Sequence, residues 1–201
     1  AKSTPAGSET ERIVAGRRER AEPPVRLATF THDDFTDLIE AVEDARCLLQ
    51  WAGPEYRYPL NETQLERTLR QGQGPLASLL AYKAVLTDTG ETVGHAQLMG
   101  IDRVTSTATL GRVLVFPAWR GRGLGRALVR LVLGEAFDHL GLELVILHVF
   151  AFNRPAVATY RGVGFTVRPG GPGVRMYEGE VWEVLRMGLT REEWSRSLKS
   201  G

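Results

Sequence analysis

The segment from residue 113 to residue 127 constrains the fold more than any other part of the chain. It reads Val-Leu-Val-Phe-Pro-Ala-Trp-Arg-Gly-Arg-Gly-Leu-Gly-Arg-Ala. An apolar strand stops at Pro117, and an amphipathic helix begins after a loop of glycine and arginine. Gly121, Gly123 and Gly125 let the backbone turn tightly and approach a ligand closely. The pattern therefore predicts a strand, a tight turn and a helix whose first turn faces a ligand.

The start of this helix is predicted to bind an anion. Free N–H groups and the positive end of the helix dipole suit a pyrophosphate, and Arg120, Arg122 and Arg126 add charged donors. The segment lacks Gly-Lys-Ser/Thr, which excludes a Walker loop. A dinucleotide fingerprint matches only in part, and the loop alone also fits a tight turn without a ligand.

A second segment runs from Asn153 to Tyr160 and is followed by Gly164-Phe165. Asn153 is predicted to cap a short helix, and Ala156 and Tyr160 lie one turn apart on one face of it. The small Ala156 leaves room for a ligand, and Tyr160 places a phenol beside that space. Taken alone, Tyr160 is more typical of a core aromatic residue.

The whole chain is predicted to form a mixed α/β fold. The predicted elements are strand 25–30, helices after Thr31 and Asn61, strands 79–86, 92–101 and 107–116, helix 123–140, strand 142–149, helix 153–161, and strands 164–167 and 181–189. The apolar strand 142–149 is expected to be buried on both faces. We expect a flexible arm over 1–24, one domain over 25–195 and a C-terminal tail over 196–201.

Composition excludes several classes of protein. The 201 residues carry a net charge of +1, which argues against a nucleic-acid partner. No apolar run is long enough for a membrane span, the first residues lack a signal-peptide pattern, and Cys47 is the only cysteine. We therefore expect a cytoplasmic protein that does not bind membranes. His32, His95 and His139 show no metal-ligand spacing, so we expect no metal.

Together the two segments resemble the GNAT superfamily of N-acetyltransferases. Arg120-x-x-Gly123-x-Gly125 is similar to the family's acetyl-CoA loop, and Asn153-x-x-Ala156-x-x-x-Tyr160-x-x-x-Gly164-Phe165 is similar to its second signature. The resemblance covers about residues 25–190 and is specific in the second half. The end of the chain, 181–194, resembles the branch that acetylates ribosomal proteins, protein N-termini or small amines.

The resemblance implies an α/β fold in which a largely antiparallel sheet contains one splayed parallel strand pair, flanked by helices. Pantetheine lies in the splay, the loop amides hold the pyrophosphate, and a strand N–H near Leu114 stabilises the oxyanion. Tyr160 matches the tyrosine that protonates the leaving thiolate. The residues implied in cofactor binding are Val113, Leu114, Val115, Arg120, Gly121, Arg122, Gly123, Leu124, Gly125, Arg126, Asn153, Ala156 and Tyr160.

The general base departs from the pattern. N-terminal-peptide acetyltransferases carry a glutamate five residues before the asparagine of the second signature, and here that position is His148. A neutral imidazole is a competent base near neutral pH. A chain of water molecules without a dedicated side chain, or a histidine bonded to a backbone carbonyl, are the alternatives.

Three residues are candidates for acceptor binding. Arg112 interrupts an apolar strand and by strand parity shares a face with Leu110 and Leu114. Since a buried cation needs a partner, it either meets a carboxylate of the acceptor or pairs internally, with Glu143 or Glu183. Trp51 and Tyr56 fall where the family builds its acceptor-binding wall, and plain packing fits them equally well.

The expected function is the transfer of an acetyl group from acetyl-CoA to a primary amine, by direct attack in a ternary complex. The acceptor is a small amine or a peptide N-terminus, and the protein is a monomer or homodimer. The alternative is a non-catalytic acyl-CoA-binding or regulatory module, which the missing glutamate favours.

Overall fold

The computed structural model describes residues 24–74, 76–171 and 173–199. Its helices are α1 (Phe35–Glu40), α2 (Ala45–Ala52), α3 (Glu62–Gln71), α4 (Leu124–Gly134), α5 (Arg154–Val163) and α6 (Arg191–Lys199). Its strands are β1 (Val25–Thr29), β2 (Leu79–Leu86), β3 (Thr92–Asp102), β4 (Thr107–Val115), β5 (Leu144–Phe150), β6 (Thr166–Val167), β7 (Val174–Tyr177) and β8 (Glu180–Thr190). The expected arm lies outside the described residues except for Pro24. The domain boundary expected at 195 falls inside α6.

The strands form one sheet in the order β1-β2-β3-β4-β5-β8-β6, and β7 pairs with β8. All neighbours are antiparallel except β4 and β5, whose parallel pairing runs only from Thr107↔Leu144 to Thr109↔Ile146. Beyond Ile146, β5 pairs with β8 alone, so the sheet opens into a gap between β4 and β5. The mixed sheet with a splayed parallel pair is confirmed.

Two cores cover the faces of the sheet. The first core lies under α4, α5 and α6, and the second lies under α1, α2 and α3. Large buried side chains of the first core include Leu98, Leu110, Leu128, Leu133, Phe137, Leu142, Leu147, Phe165 and Met187. Those of the second include Leu38, Leu48 and Leu65. Among the described residues, no helix combines the length and apolar character that a membrane crossing requires.

Several boundaries differ from the prediction. The first predicted helix is split, because Asp44 starts a new helix by accepting a hydrogen bond from the Cys47 N–H at 2.6 Å. The helix predicted over 123–140 is an α-helix only to Gly134 and continues as a π turn over Glu135–His139. Strand β7 was not predicted, because two of its three hydrophobic residues, Val174 and Met176, are exposed.

Strand β5 is not buried on both faces as predicted. The side chains of Val145, Leu147 and Val149 lie in the first core. His148, between Leu147 and Val149, is exposed on the opposite face of the strand. Parallel strand pairs are usually covered by helices on both faces. Because β5 pairs in parallel over only three residues, the rest of the strand does not require this cover.

Strand β4 contains a bulge at Arg112. Gln97 pairs with Gly111 but His95 pairs with Leu114, so β4 holds one residue more than β3 over this stretch. Arg112 absorbs the extra residue at a φ of 51°. The bulge reverses the side-chain alternation: Leu110 lies in the first core and Leu114 in the second. The prediction that Arg112 shares a face with both leucines is therefore wrong.

Candidate active site

The loop from β4 to α4 presents backbone N–H groups to solvent. Gly121 and Gly123 are exposed and have φ of 76° and 84°, a conformation that favours glycine. A Cβ at either position would have nothing within 4 Å, so the space beside both is open. The first helical hydrogen bonds run from the Arg126 and Ala127 N–H groups to the Gly123 carbonyl. The N–H groups before Arg126 thus have no partner within α4 and are available to an anion.

The three arginines of this loop are exposed but differ in their contacts. Arg120 Nε donates to the Val115 carbonyl at 3.2 Å, which holds the loop to the end of β4. The guanidinium of Arg122 lies 4.5 Å from the centre of the Trp119 ring. Arg126 lies in the first turn of α4 with its side chain exposed. Leu124 is buried, so only its backbone faces the loop.

Gly125 is where α4 lies closest to β4 and α5. A Cβ there would be 3.6 Å from Val115 Cγ2 and 4.0 Å from Thr159 Cγ2, which is ordinary van der Waals contact. Alanine would therefore fit at this position, in contrast to a larger side chain. The close packing fixes the start of α4 beside the gap.

The edge of β4 that faces the gap carries unpaired backbone groups. Phe116 N–H donates to the Val93 carbonyl of β3. Because alternate residues of a strand direct their N–H groups to opposite sides, Leu114 also pairs with β3, and Val113 and Val115 direct theirs towards the gap. Of the backbone N–H groups near Leu114, those of Val113 and Val115 therefore face the gap, and that of Leu114 does not.

The second signature lies on α5, whose Thr159 is next to Gly125 at the start of α4. Asn153 caps α5 by accepting a hydrogen bond from the Ala156 N–H at 3.3 Å. Ala156 and Tyr160 are half-buried against the first core, and the Tyr160 ring meets Phe165 edge-on at 5.9 Å. The Tyr160 hydroxyl has no hydrogen bond within the described part of the chain. Burial raises the pKa of this hydroxyl above its usual value of 10, so the group keeps its proton at neutral pH.

His148 is exposed on the opposite face of β5, directly across from Arg186 of β8. Partial burial, and then the positive charges of Arg186 and Arg175, lower the pKa of His148 below 6.5. The imidazole is therefore neutral at neutral pH and has one ring nitrogen free to accept a proton.

Arg112 is buried in an internal network that engages both terminal nitrogens of its guanidinium, while its Nε has no hydrogen-bond partner among the described residues. Its Nη1 donates to Gln97 Oε1 at 2.8 Å and to the Tyr56 hydroxyl at 3.0 Å, and its Nη2 pairs with Glu55. The expected partners Glu143 and Glu183 are wrong, because the bulge turns the side chain towards α2 and the turn after it; Glu143 instead pairs with Arg191. Of the two alternatives, the geometry is that of an internal ion pair.

Tyr56 and Trp51 lie in and beside the second core. Tyr56 is buried, with its hydroxyl 2.6 Å from Thr68 Oγ1 and its ring 4.3 Å from the Arg112 guanidinium. Of the two alternatives expected for Tyr56, acceptor binding and plain packing, this position is that of a packed side chain. Trp51 is half-buried at 5.8 Å from the His95 ring.

Sequence reasoning missed the polar pair beneath these rings. His95 and Gln97 are fully buried and bonded to each other at 2.9 Å. Since Gln97 Oε1 accepts from Arg112, its amide donates to His95 Nε2, and the imidazole proton lies on Nδ1. Alternation along β3 was the available signal, but it gave no indication that these side chains join Arg112.

The residues present fit a CoA thioester. The loop has open space beside Gly121 and Gly123, free N–H groups at a helix start, and exposed arginines. The gap opens beyond Thr109 and Ile146 and extends along β4 to the strand end from which this loop starts. No group of three or more potential metal ligands occurs among the described residues.

A gapped sheet with an anion-binding loop beside the gap defines a class of acyl-CoA-binding fold. The sequence profile of the "Acetyltransferase (GNAT) family" matches residues 45–165, and the chain belongs to this family. The match contains α2 to α5 and therefore both signature segments.

Curated relatives match part of the chain. The mycothiol acetyltransferase of Thermobifida fusca is 42% identical over 82 residues, which is 41% of this chain and 20% of that protein. The mycothiol acetyltransferase of Corynebacterium glutamicum strain R is 58% identical over 50 residues, 25% of this chain and 17% of that protein. The chain thus spans about a fifth of the length of these relatives.

Solved structures share the whole fold. The spermidine N-acetyltransferase of Vibrio cholerae, in complex with CoA and spermine, matches with a TM-score of 0.74 at 18% identity. The match covers 86% of this chain and 98% of that one. At this identity the likeness establishes the fold.

Proposed function

We propose that the protein is an N-acetyltransferase that moves the acetyl group of acetyl-CoA to a primary amine by direct attack in a ternary complex. The observation that carries the proposal is the gap between β4 and β5. It joins an anion-binding loop to a protonated phenol on one face of the sheet and to a neutral imidazole on the other.

The cofactor is held by backbone groups. The N–H groups of Gly121 to Gly125 bind the pyrophosphate, with Arg120, Arg122 and Arg126 around them. The backbone of Val113 and the N–H of Val115 pair with the pantetheine amides, because the Val115 carbonyl already accepts from Arg120. Asn153 and Ala156 shape the wall on the α5 side. Bound acetyl-CoA supplies an acetyl group activated as a thioester.

His148 accepts the proton that the amine loses as it attacks. The nucleophile must be a neutral amine, and an imidazole with a lowered pKa is ready to take the proton at neutral pH. The neighbouring Arg186 and Arg175 disfavour a protonated amine beside the base, which keeps more of the acceptor in its reactive form.

Two groups act on the thioester side. The Val113 or Val115 N–H donates to the carbonyl oxygen as negative charge develops on it. The Tyr160 hydroxyl, which carries no competing hydrogen bond to a described residue, donates its proton to the departing sulfur. The acetyl carbon exchanges its bond to sulfur for a bond to nitrogen, so the products are an amide and the free thiol.

The acceptor enters from the face of the second core, where His148 is exposed. Small amines and peptide N-termini are the proposed acceptors. The solved structure titled as a spermidine N-acetyltransferase supports an amine acceptor, and the relative named mycothiol acetyltransferase supports a small-molecule acceptor.

The test is acetyl transfer across a panel of amines. Purified protein is incubated with acetyl-CoA and single amines, and free thiol and N-acetylated product are both measured. Equal amounts of the two, dependent on His148 and Tyr160, support the proposal. Tight CoA binding without product for any amine would instead indicate the non-catalytic binding module.

A further inference from the structure

The β7–β8 hairpin presents a cluster of aromatic rings to α2. Residues paired directly across a hairpin share a face, so Arg175, Tyr177, Glu180 and Trp182 lie on one face of the hairpin. The Trp182 ring meets Phe150 at 5.0 Å, Phe152 at 4.8 Å and Tyr177 at 4.9 Å. We call these four rings, Phe150, Phe152, Tyr177 and Trp182, the aromatic cluster.

A cation from a different element covers this cluster. The guanidinium of Arg46, on α2, lies 4.8 Å from the centre of Trp182 and 5.8 Å from that of Tyr177. Its two terminal nitrogens face the two oxygens of Glu180 at 3.4 and 3.2 Å. The Trp182 indole N–H in turn donates a hydrogen bond to Glu180 Oε2 at 2.8 Å, which holds the carboxylate in place. Rings beneath a planar cation and a fork-like carboxylate at its edge are the contacts by which proteins recognise guanidinium and ammonium groups.

The cover over the cluster is removable. Trp182 is only 3% exposed although it lies on a hairpin, whereas the side chains of Arg46 and Glu180 are 48% and 54% exposed. An exposed ion pair of this kind contributes little stability, so a competing cation can replace the arginine at low cost.

Carboxylates surround the cluster. Desolvation, and then the negative charges of Glu178 and Asp44, raise the pKa of Tyr177, and Glu180 accepts a hydrogen bond from Trp182. Two arginines lie on the same face, Arg175 opposite Trp182 and Arg186 farther along β8 opposite His148. Without the guanidinium of Arg46, these three carboxylates would outnumber the two arginines, and the site would attract a cation.

The cluster adjoins the proposed base. Phe150 follows His148 by two residues on the same face of β5, about 7 Å along the strand. Trp182 extends this row on β8, since β5 and β8 pair up to Phe150↔Val184. An acceptor whose amine reaches His148 can therefore place a second group over the aromatic cluster.

We propose that the aromatic cluster and Glu180 form a subsite for a second cationic group of the acceptor, a guanidinium or ammonium, and that the side chain of Arg46 occupies this subsite until such a group replaces it. The part that concerns the acceptor rests on the proposed function. The subsite itself does not, because it binds a cation whether or not acetyl transfer follows.

Direct binding of butylguanidinium to the full chain tests the subsite. Butylurea has nearly the same shape as butylguanidinium but no charge. Butylammonium keeps the charge but lacks the planar pair of N–H groups that faces a carboxylate. The readout is the NMR signal of the Trp182 indole N–H, assigned with Trp182→Phe. In Arg46→Ala the guanidinium that covers the rings is absent. Butylguanidinium should therefore bind this variant at least roughly fivefold more tightly than it binds the parent. It should also bind this variant at least roughly fivefold more tightly than butylurea does.

Matched variants complete the experiment. Arg26→Ala removes an exposed arginine from β1, at the far edge of the sheet, and should behave as the parent. Glu180→Gln in the Arg46→Ala background should weaken the preference for the cation, because only the rings and the two other carboxylates then remain. Arg46→Gln removes the charge while keeping a long side chain, and serves if Arg46→Ala does not fold.

The proposal is overturned if Arg46→Ala, or Arg46→Gln in its place, binds butylguanidinium no better than the parent or no better than butylurea. It is also overturned if the Trp182 signal becomes that of a mobile, solvent-exposed side chain, since Arg46 would then only clasp the hairpin. If the protein acetylates amines but fails these binding tests, the subsite alone is wrong. If it binds the cation but acetylates no amine, the proposed function is wrong and the subsite stands.

Discussion

His148 on β5 lies directly opposite Arg186 on β8, and the two side chains share the face of the sheet from which the acceptor is proposed to enter. A cation opposite an imidazole favours the neutral form of the ring. The pairing thus connects the register of two strands to the protonation state of the proposed base.

The rate should fall as the pH drops through the lowered pKa of His148. The base works only when unprotonated, and its pKa lies below 6.5, so the acid limb of the kcat/KM profile should lie below pH 6.5. Arg186→Met removes a positive charge and should move this limb to higher pH. His148→Ala should lower turnover and remove the limb. An unchanged profile with near-normal turnover in His148→Ala would assign the proton to water.

Stability should decline in acid because of His95. Burial, reinforced by the charge of Arg112, lowers the pKa of His95 to about 3, against 6.5 for an ordinary histidine. Between these values the unfolded chain binds a proton that the folded chain does not, so the free energy of unfolding falls as pH falls. The slope from this group approaches about 1.4 kcal/mol per pH unit.

Urea unfolding from pH 7 to pH 4.5 measures that slope. His95→Gln should flatten the dependence, even if it lowers stability at pH 7. The exposed His139→Gln is the control and should keep it. A parent protein that is equally stable across this range would contradict the neutral, buried imidazole.

Gly123→Asp should abolish the rise in Tm that CoA produces. The substitution puts a side chain at a φ of 84° and a negative charge where the pyrophosphate is expected. Ligand at a hundredfold excess over Kd stabilises a protein by about 2.7 kcal/mol, so the loss is easily seen. Gly90→Asp is the matched control, since it also has a positive φ and open space but lies in the β2–β3 turn. Equal CoA shifts in the two variants would place the phosphate site elsewhere.

Arg112→Met should cost about 3 kcal/mol of stability, because it removes the donor to the buried Gln97 Oε1 and leaves that oxygen unpaired. Glu55→Gln should cost less than about 1 kcal/mol, since that side chain is largely exposed. Urea unfolding compares the two. If Arg112→Met is as stable as the parent but raises the acceptor KM, the arginine binds substrate.

The two signature segments could be predicted from sequence because their functions impose local rules. A left-handed backbone at Gly121 and Gly123 requires glycine, and a cap at Asn153 requires a short polar side chain. Both constraints appear as residue types at fixed positions. The confirmed splay between β4 and β5 followed from the resemblance to a family and not from the strand patterns themselves.

The surroundings of Arg112 could not be predicted, because one bulge reverses every later side chain of β4. The bulge leaves no turn residue to mark it, as Arg112 itself adopts the positive φ. Strand β7 could not be predicted for a related reason. Val174 and Met176 are exposed, so the alternation of this segment does not indicate a buried face. Both features depend on contacts between distant segments.

Product analysis with Tyr160→Phe tests the central claim most directly. The variant keeps the half-buried ring and loses only the proton donor, and Tyr82→Phe, another half-buried tyrosine against the first core, is its control. With an accepted amine and acetyl-CoA, the parent should form N-acetylated amine and free CoA in equal amounts. Tyr160→Phe should lower kcat by about 10²-fold with an almost unchanged acetyl-CoA KM and Tm, while Tyr82→Phe keeps kcat. A Tyr160→Phe protein that keeps its kcat and loses stability would show that Tyr160 only packs, and would contradict the account.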